Sequence, residues 1–189
     1  GTGKTTVGRQ VAGILGWQFV DLDDEIVAES GKSIAAIFDD HGEIYFRGIE
    51  AKCLARVCKN DRQIVATGGG IITSASNRTL MAKEGIIVCL EARIDTIVER
   101  LENETYDFGS SAIRPMLNVD DQGSRIRELK KERQFDYSNA RFTIHTDGLM
   151  PIEVAQDVVS SWRKMEQQVS SSSGPDLAAT VSTSTGNYP

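Results

Sequence analysis

A chain of 189 residues is long enough for one α/β domain with its own core and too short for two domains of ordinary size. With 40% hydrophobic and 25% charged residues it has an ordinary globular composition, and no apolar run approaches the roughly 18 residues that a membrane span needs. The net charge of −6 argues against a broad nucleic-acid-binding surface, so any affinity for phosphate must be local.

The cysteines indicate a reducing environment. There are three of them, an odd number, without paired metal-ligand spacing and set among apolar residues: Cys53, Cys58 and Cys89. This pattern predicts a reduced, cytoplasmic protein without structural zinc. Because the first residue is glycine and stands inside a recognisable motif, we expect residues to be missing before it, and targeting to an organelle stays open.

Helical and strand patterns alternate through the first half of the chain. Apolar residues at helical spacing predict a helix at Lys4–Leu15 that ends at Gly16. A short β-prone run predicts a strand over residues 17–22, with carboxylates at its end. We expect one helix after Ser33, a second after Gly42, and a strand over residues 63–67.

The alternation continues in the second half. We expect a helix from Ser76 to Gly85, a strand over 86–90, a helix over 93–102, a helix over 124–135, a strand over 141–145 and a helix over 151–165. The polar stretch 103–121 between two of these helices has few core residues, which is typical of a mobile lid. These elements predict an α/β fold with a parallel sheet and right-handed crossovers.

Two parts are predicted along the chain. Residues 1–166 carry the alternating elements and form the expected domain. Residues 167–189 are rich in Ser and Thr and nearly devoid of large apolar residues, so they are expected to be a disordered tail or a linker to another enzyme.

The first six residues predict a phosphate site. The run Gly1-Thr2-Gly3-Lys4-Thr5-Thr6 matches the second half of the motif G-x-x-x-x-G-K-[ST]. Glycine lets backbone N–H groups converge on phosphate oxygens, Lys4 reaches the β- and γ-phosphates of a nucleotide, and the Thr5 hydroxyl ligates Mg²⁺. The alternative is a glycine turn before an ordinary helix, which explains the glycines but not Lys4 and Thr5 opening that helix.

Several polar groups are expected to lie opposite this phosphate site. Ligands of doubly wound sheets bind beyond the carboxyl ends of the strands, where Asp21, Asp23 and the glycines at 68–70 should meet. If the strand persists through residue 23, the two carboxylates point the same way. One could then serve magnesium and the other a substrate hydroxyl.

Six short motifs, in order along residues 1 to about 162, make the chain resemble the shikimate kinases. They are Gly3-Lys4-Thr5, Asp21-Leu22-Asp23, Phe46-Arg47, Gly68-Gly69-Gly70, Arg114-Pro115-Met116-Leu117 and Arg133-Gln134-Phe135-Asp136-Tyr137. The resemblance implies a P-loop α/β/α sandwich with strand order 2-3-1-4-5, the first strand missing here. It also implies a helical substrate-binding insert and a lid.

The resemblance assigns a role to each motif. Transfer of the γ-phosphoryl group of ATP to the 3-hydroxyl of shikimate, with Mg²⁺, is the implied reaction, and Lys4, Asp23 and Arg114 are the implied catalytic residues. Shikimate contacts are Asp23, Arg47, Gly68, Gly69, Gly70 and Arg133; nucleotide contacts are Gly1, Thr2, Gly3, Lys4, Thr5, Thr6 and Arg114; metal ligands are Thr5 and Asp21. Candidates on the adenine side are Arg100 and the loop Thr146-Asp147-Gly148.

Elementary chemistry agrees with the substrate assignment. Shikimate carries a carboxylate and three hydroxyls; two arginines can clamp the carboxylate, an aspartate can accept from the hydroxyls, and glycines let the backbone approach the ring. Without the motif context, Arg47 and Arg133 would be read as solvated charges and the glycines as a flexible turn.

Two other functions stay open. A different P-loop small-molecule kinase, such as a gluconate kinase, would keep the phosphate site and change the acceptor residues. A non-catalytic nucleotide-binding module would keep only the fold. We expect no nucleic-acid or membrane partner, and a monomer or one domain of a larger multifunctional chain.

Overall fold

The computed structural model describes residues 1–108, 121–138 and 140–172. Helices and strands alternate along them. In chain order they are α1 (Lys4–Leu15), β1 (Gln18–Asp21), α2 (Leu22–Ser30), α3 (Ile34–Val57), β2 (Gln63–Ala66), a 3₁₀ helix (Ile71–Thr73), α4 (Ala75–Glu84), β3 (Val88–Glu91), α5 (Ile94–Phe108), α6 (Gln122–Tyr137), β4 (Phe142–His145) and α7 (Pro151–Ser172).

The strands pair in parallel, as predicted. β1 lies beside β2, with Asp21 opposite Ala66, and β3 lies beside β4, with Glu91 opposite His145. The two pairs are separate two-stranded sheets and not one continuous sheet, and they correspond to the neighbours 2-3 and 4-5 of the expected order 2-3-1-4-5. Because parallel strands end at the same edge, the pairing brings the residues that follow β1 and β2 together.

Helices α1 and α7 cover both strand pairs. Their apolar stripes meet in a cluster that includes Val7, Val11 and Val159, and residues of three strands pack against it: Ile64, Leu90 and Ile144. Since one helical layer contacts both pairs, the phosphate-loop helix is fixed relative to each.

The helical insert has its own core. Leu22 and Ile26 of α2 pack with Phe46 and Leu54 of α3. Helix α3 is interrupted at Gly42, whose φ of 77° and ψ of 176° are not helical. The predicted break between two helices is therefore confirmed, and glycine is required there because its φ is positive.

Several element boundaries differ from the sequence-based expectation. The strand predicted through residue 22 ends at Asp21, because the Asp21 side chain accepts a hydrogen bond from the Asp23 amide and caps α2. The helix predicted to end at residue 102 continues to Phe108, so residues 103–108 are helical and not part of a loop. Helix α7 runs to Ser172, seven residues beyond its predicted end at 165, so residues 167–172 of the expected disordered tail are helical.

Among residues 1–108, 121–138 and 140–172, no helix has both the length and the apolar character needed to cross a bilayer.

Candidate active site

The phosphate loop leads directly into α1. Gly3 has a φ of 86°, in the left-handed region that favours glycine, and it caps the helix without a side-chain hydrogen bond. The first turn of α1 holds no acidic residue, so its N–H groups and the helix dipole are directed toward an anion without competition. A methyl group on Gly1 would lie 2.7 Å from Cγ2 of Ile97, which explains the need for glycine at that position too.

Thr5 and Asp21 are brought together across the site. The Thr5 hydroxyl donates to Oδ2 of Asp21 over 2.8 Å, although 16 residues separate them in sequence. The two residues predicted to serve a metal are therefore neighbours. Both offer hard oxygen atoms, which Mg²⁺ prefers, and Mg²⁺ typically takes its remaining ligands from phosphates and water.

Each glycine of the loop 68–70 faces a different candidate substrate group. A methyl group on Gly68 would lie 3.1 Å from Oε1 of Glu50 and 3.6 Å from Oδ1 of Asp23. One on Gly69 would lie 3.3 Å from the Tyr137 hydroxyl oxygen and 3.5 Å from Nη1 of Arg133. One on Gly70 would lie 2.7 Å from Cζ of Arg47. Since the backbone at Gly70 has an ordinary φ of −94°, glycine is needed here for space and not for conformation. The glycine loop is thus the point where the predicted acceptor residues converge, and it is not a plain flexible turn.

Arg47 is held between two carboxylates of its own helix. Its Nη1 donates to Oε2 of Glu50 over 2.7 Å, and its Nη2 and Nε donate to Oε1 of Glu43 over 3.0 and 3.2 Å. These ion pairs fix the plane of the guanidinium beside Gly70. The reading of Arg47 as a solvated surface charge is therefore wrong.

Glu50 is a site residue that the sequence analysis missed. Its side chain is 0% exposed, and its Oε1 has no hydrogen-bond partner among the described residues. Burial raises its pKa, against the opposing effect of Arg47. A signal was present: Glu50 occupies a core position of α3, four residues after Phe46 and four before Leu54. A carboxylate at such a position needs a charged partner, and Arg47 three residues earlier supplies it.

Helix α6 brings Arg133 and Tyr137 to the glycine loop. The Tyr137 hydroxyl donates to the Gly69 carbonyl over 2.9 Å. Burial raises the pKa of Tyr137, so its hydroxyl stays a donor at neutral pH. The predicted spacing of Arg133 and Tyr137 thus corresponds to two side chains that reach the same peptide.

A cavity of about 410 Å³ joins the phosphate loop to the glycine loop and α6. Its lining includes Thr2, Lys4, Gly68, Gly69 and Arg133. The cavity also extends along β3, over residues 87–92, and past apolar residues of α5 and α6, so it is not confined to the two loops. Asp21, Asp23, Arg47 and Gly70 are not among the residues that line it, so the predicted residues do not all face this cavity.

The two predicted adenine-side elements are tied together. Arg100 donates from Nη1 to the Thr146 hydroxyl over 2.9 Å and to the Gly1 carbonyl over 3.3 Å. Asp147 accepts from the Arg93 amide over 2.9 Å and from the Thr96 hydroxyl over 2.7 Å. Arg100 therefore links the phosphate loop to the loop after β4.

Arg114 and the metal ligands complete the set of predicted site residues. Arg114, predicted as a catalytic and nucleotide-binding residue, lies outside the described residues. Within residues 1–108, 121–138 and 140–172, no group of three or more His, Cys, Asp or Glu side chains is arranged to hold a metal ion. A metal at Thr5 and Asp21 would therefore depend on ligands from the nucleotide and water.

Replacing Glu50 with glutamine should change how stability depends on pH. The pKa of Glu50 in the folded protein is raised above its ordinary value of 4.5 by burial. Between the two values the folded protein holds a proton that the unfolded chain has lost, so this group lowers the free energy of unfolding as pH rises through that window. We expect the free energy of unfolding of the Glu50→Gln variant, relative to wild type, to increase with pH across it.

Urea unfolding from about pH 4.5 to about pH 8 measures this difference. Trp17 and Trp162, whose ring centroids lie 5.2 Å apart, supply the fluorescence signal. Glu43→Gln on the same helix is the matched control, since Glu43 also pairs with Arg47 but is exposed. A difference between Glu50→Gln and wild type that does not vary with pH would contradict the expectation.

Known proteins match both the sequence and the fold. The sequence model of the family described as shikimate kinase matches residues 1–163. A shikimate kinase of Thermodesulfovibrio yellowstonii is 39% identical over 165 residues, which cover 87% of this chain and 91% of that protein. One of Caldanaerobacter subterraneus is 38% identical over 166 residues, covering 88% and 93%.

Solved structures agree. The shikimate kinase of Acinetobacter baumannii, solved in complex with shikimate, has a TM-score of 0.79 and 34% identity, covering 87% of this chain and 89% of that one. The shikimate kinase of Aquifex aeolicus has a TM-score of 0.71 and 26% identity, covering 88% and 92%.

Proposed function

The chain belongs to the shikimate kinase family, and we propose that it transfers the γ-phosphoryl group of ATP to the 3-hydroxyl of shikimate. The products are shikimate 3-phosphate and ADP, within the route to chorismate and the aromatic amino acids. The observation that carries this proposal is the convergence of Asp23, Arg133 and Arg47 on three consecutive glycines, beside the cavity that Lys4 lines.

We assign a task to each acceptor residue. Arg47 and Arg133 approach the glycine loop from two different helices, α3 and α6, and carry the positive charge that a carboxylate needs. Asp23 lies at the first glycine, where it orients the attacking hydroxyl and takes its proton as the new bond forms. The glycine backbone lets the ring approach all three side chains.

The phosphate loop supplies positioning and charge on the other side. Lys4 and the N–H groups at the start of α1 hold the β- and γ-phosphates, and Gly1 to Thr6 form the nucleotide contact. Arg114 is proposed to join Lys4 at the transferring group. Because phosphoryl transfer depends mainly on alignment and charge stabilisation, these contacts account for most of the expected catalysis.

Magnesium is the proposed cofactor. The oxygen atoms of Thr5 and Asp21 fit Mg²⁺ in type, and they lie 2.8 Å apart at the phosphate loop. When bound, the ion would neutralise charge that develops on the phosphate oxygens. Thr5 and Asp21 would hold it, while the backbone of the loop holds the phosphates.

Release of ADP from ATP and Mg²⁺ in the presence of shikimate tests the function, with gluconate as the alternative acceptor. We expect release that depends on shikimate, formation of one phosphomonoester detectable by ³¹P NMR, and no release above background with gluconate. Release with gluconate instead would indicate a different small-molecule kinase. A folded chain that binds ATP and uses neither acceptor would indicate a non-catalytic nucleotide-binding module.

The domain bounds, the oligomeric state and the cellular compartment are also proposals. We assign the kinase domain to residues 1–166 and a Ser/Thr-rich tail or linker to residues 167–189, in a monomer or one domain of a larger chain. We place the protein in the cytoplasm. Support comes from Cys53, Cys58 and Cys89, which are free thiols whose pKa values are raised by burial.

A further inference from the structure

An ion pair with no assigned role lines the same cavity and joins α6 to the exit of the glycine loop. Nη1 of Arg78, on α4, lies 2.9 Å from Oδ1 of Asp136, on α6. The two side chains are only 25% and 19% exposed, so solvent screens this pair less than an ordinary surface ion pair. Asp136 immediately precedes Tyr137 and follows Arg133 by three residues, which places it one helical turn from the proposed substrate contact.

The same nitrogen of Arg78 also binds the backbone that follows the glycines. It donates to the carbonyls of Ile72 and Thr73, the latter over 3.2 Å. Those residues belong to the 3₁₀ helix directly after Gly70, whose amides at Ile71 and Thr73 donate to the carbonyls of Gly68 and Gly70 over 3.3 and 3.1 Å. One guanidinium group therefore connects α4, the glycine loop and α6.

Asp136 and Arg78 have no assigned role in the reaction, but the segments they join carry proposed substrate contacts. The glycine loop and Arg133 belong to different segments, which are far apart in sequence. Their relative position is set by the Tyr137 hydrogen bond to Gly69 and by the Arg78–Asp136 pair. Since binding a small rigid acid requires placement within a fraction of an ångström, loss of either contact should affect binding even though neither residue is among the proposed substrate contacts.

We propose that Asp136 and Arg78 are positioning residues that hold Arg133 of α6 and the backbone of the glycine loop in the geometry that binds shikimate. This inference rests on the proposed function for the identity of the substrate. Arg78 and Asp136 would then affect the affinity for shikimate through the position of the glycine loop.

The experiment compares Asp136→Asn, Arg78→Gln and the double variant with Glu128→Gln. Glu128 makes the matched control because it also pairs with an arginine of α6, Arg125, over 3.1 Å, but is 64% exposed. We expect each single variant to raise the KM for shikimate about fivefold, the double variant to add little, and the KM for ATP to stay unchanged. Glu128→Gln should leave both constants as in wild type.

Hydrogen exchange without substrate gives a second, independent readout. In Asp136→Asn the amides of Ile71 and Thr73 should exchange faster than in wild type, while they should not in Glu128→Gln. Three results would each overturn the proposal. They are a KM for ATP that rises as much as the KM for shikimate, additive effects on the KM for shikimate in the double variant, and amide exchange in Asp136→Asn equal to that of wild type. If wild type does not turn over shikimate, the proposed function fails, and the exchange measurement still decides whether the pair positions the loop.

Discussion

Replacing Asp23 with asparagine should lower kcat with shikimate by about 10²- to 10⁴-fold, the usual contribution of a positioned general base. Asparagine keeps the size of the side chain but cannot take the proton of the attacking hydroxyl. The affinity for ATP should change little, because Asp23 lies at Gly68 and does not line the cavity beside the phosphate loop. Steady-state kinetics and nucleotide titration together measure both effects.

Asp24→Asn is the matched control for this variant. Asp24 is the next residue of the same helical turn and is also exposed, so the substitution removes the same charge from the first turn of α2. Any effect of helix capping or of the helix dipole should appear in both variants. Turnover by Asp23→Asn equal to that of Asp24→Asn would remove Asp23 from the mechanism.

The order of elements and the phosphate loop could be predicted from sequence because both depend on local rules. The predicted bounds of α1 agree with the structure, since Gly3 and Gly16 are capping residues with positive φ. The break at Gly42 and the parallel pairing of the strands are confirmed for related reasons. Glycine positions and apolar periodicity predict the helix bounds and the break, and the alternation of strands and helices predicts the parallel pairing.

Competition between local structures was not predicted. Asp21 could extend β1 or cap α2, and the period-two spacing of Asp21 and Asp23 favoured the strand. The structure shows the cap, because the Asp21 carboxylate satisfies the amide of Asp23 at the start of α2. The two carboxylates still reach one site, but through a helical turn and not through strand alternation.

Two ion pairs near the glycine loop, one local and one long-range, were also not predicted from the sequence. Glu50 could have been noticed, because a carboxylate at a core position demands a partner and Arg47 precedes it by one helical turn. The pair of Arg78 and Asp136 could not, because it joins residues 58 positions apart (136 − 78) that meet only after α4 and α6 pack on the glycine loop. Residues of either type on a charged helix are most simply read as solvated.

Replacing Arg47 with alanine should raise the KM for shikimate by about 30- to 100-fold and leave the KM for ATP nearly unchanged, because a charged hydrogen-bond donor to a carboxylate is removed. Arg47→Lys should recover only part of the loss, since lysine keeps the charge but cannot make two parallel hydrogen bonds. Arg56→Ala is the matched control: Arg56 lies on the same helix and pairs with Glu25 and Glu29 at the surface. Its KM for shikimate should match wild type.

The buried carboxylate that pairs with Arg47 makes it possible to separate an effect on stability from an effect on substrate binding. In the alanine variant Glu50 loses its ion-pair partner while it remains buried, so the loss of stability and the loss of substrate binding occur together. The double variant Arg47→Ala with Glu50→Gln removes that buried charge and should recover stability without recovering the KM for shikimate. Recovery of both would mean that Arg47 acts through the fold alone, whereas a KM that stays high while stability returns establishes direct binding of the substrate carboxylate.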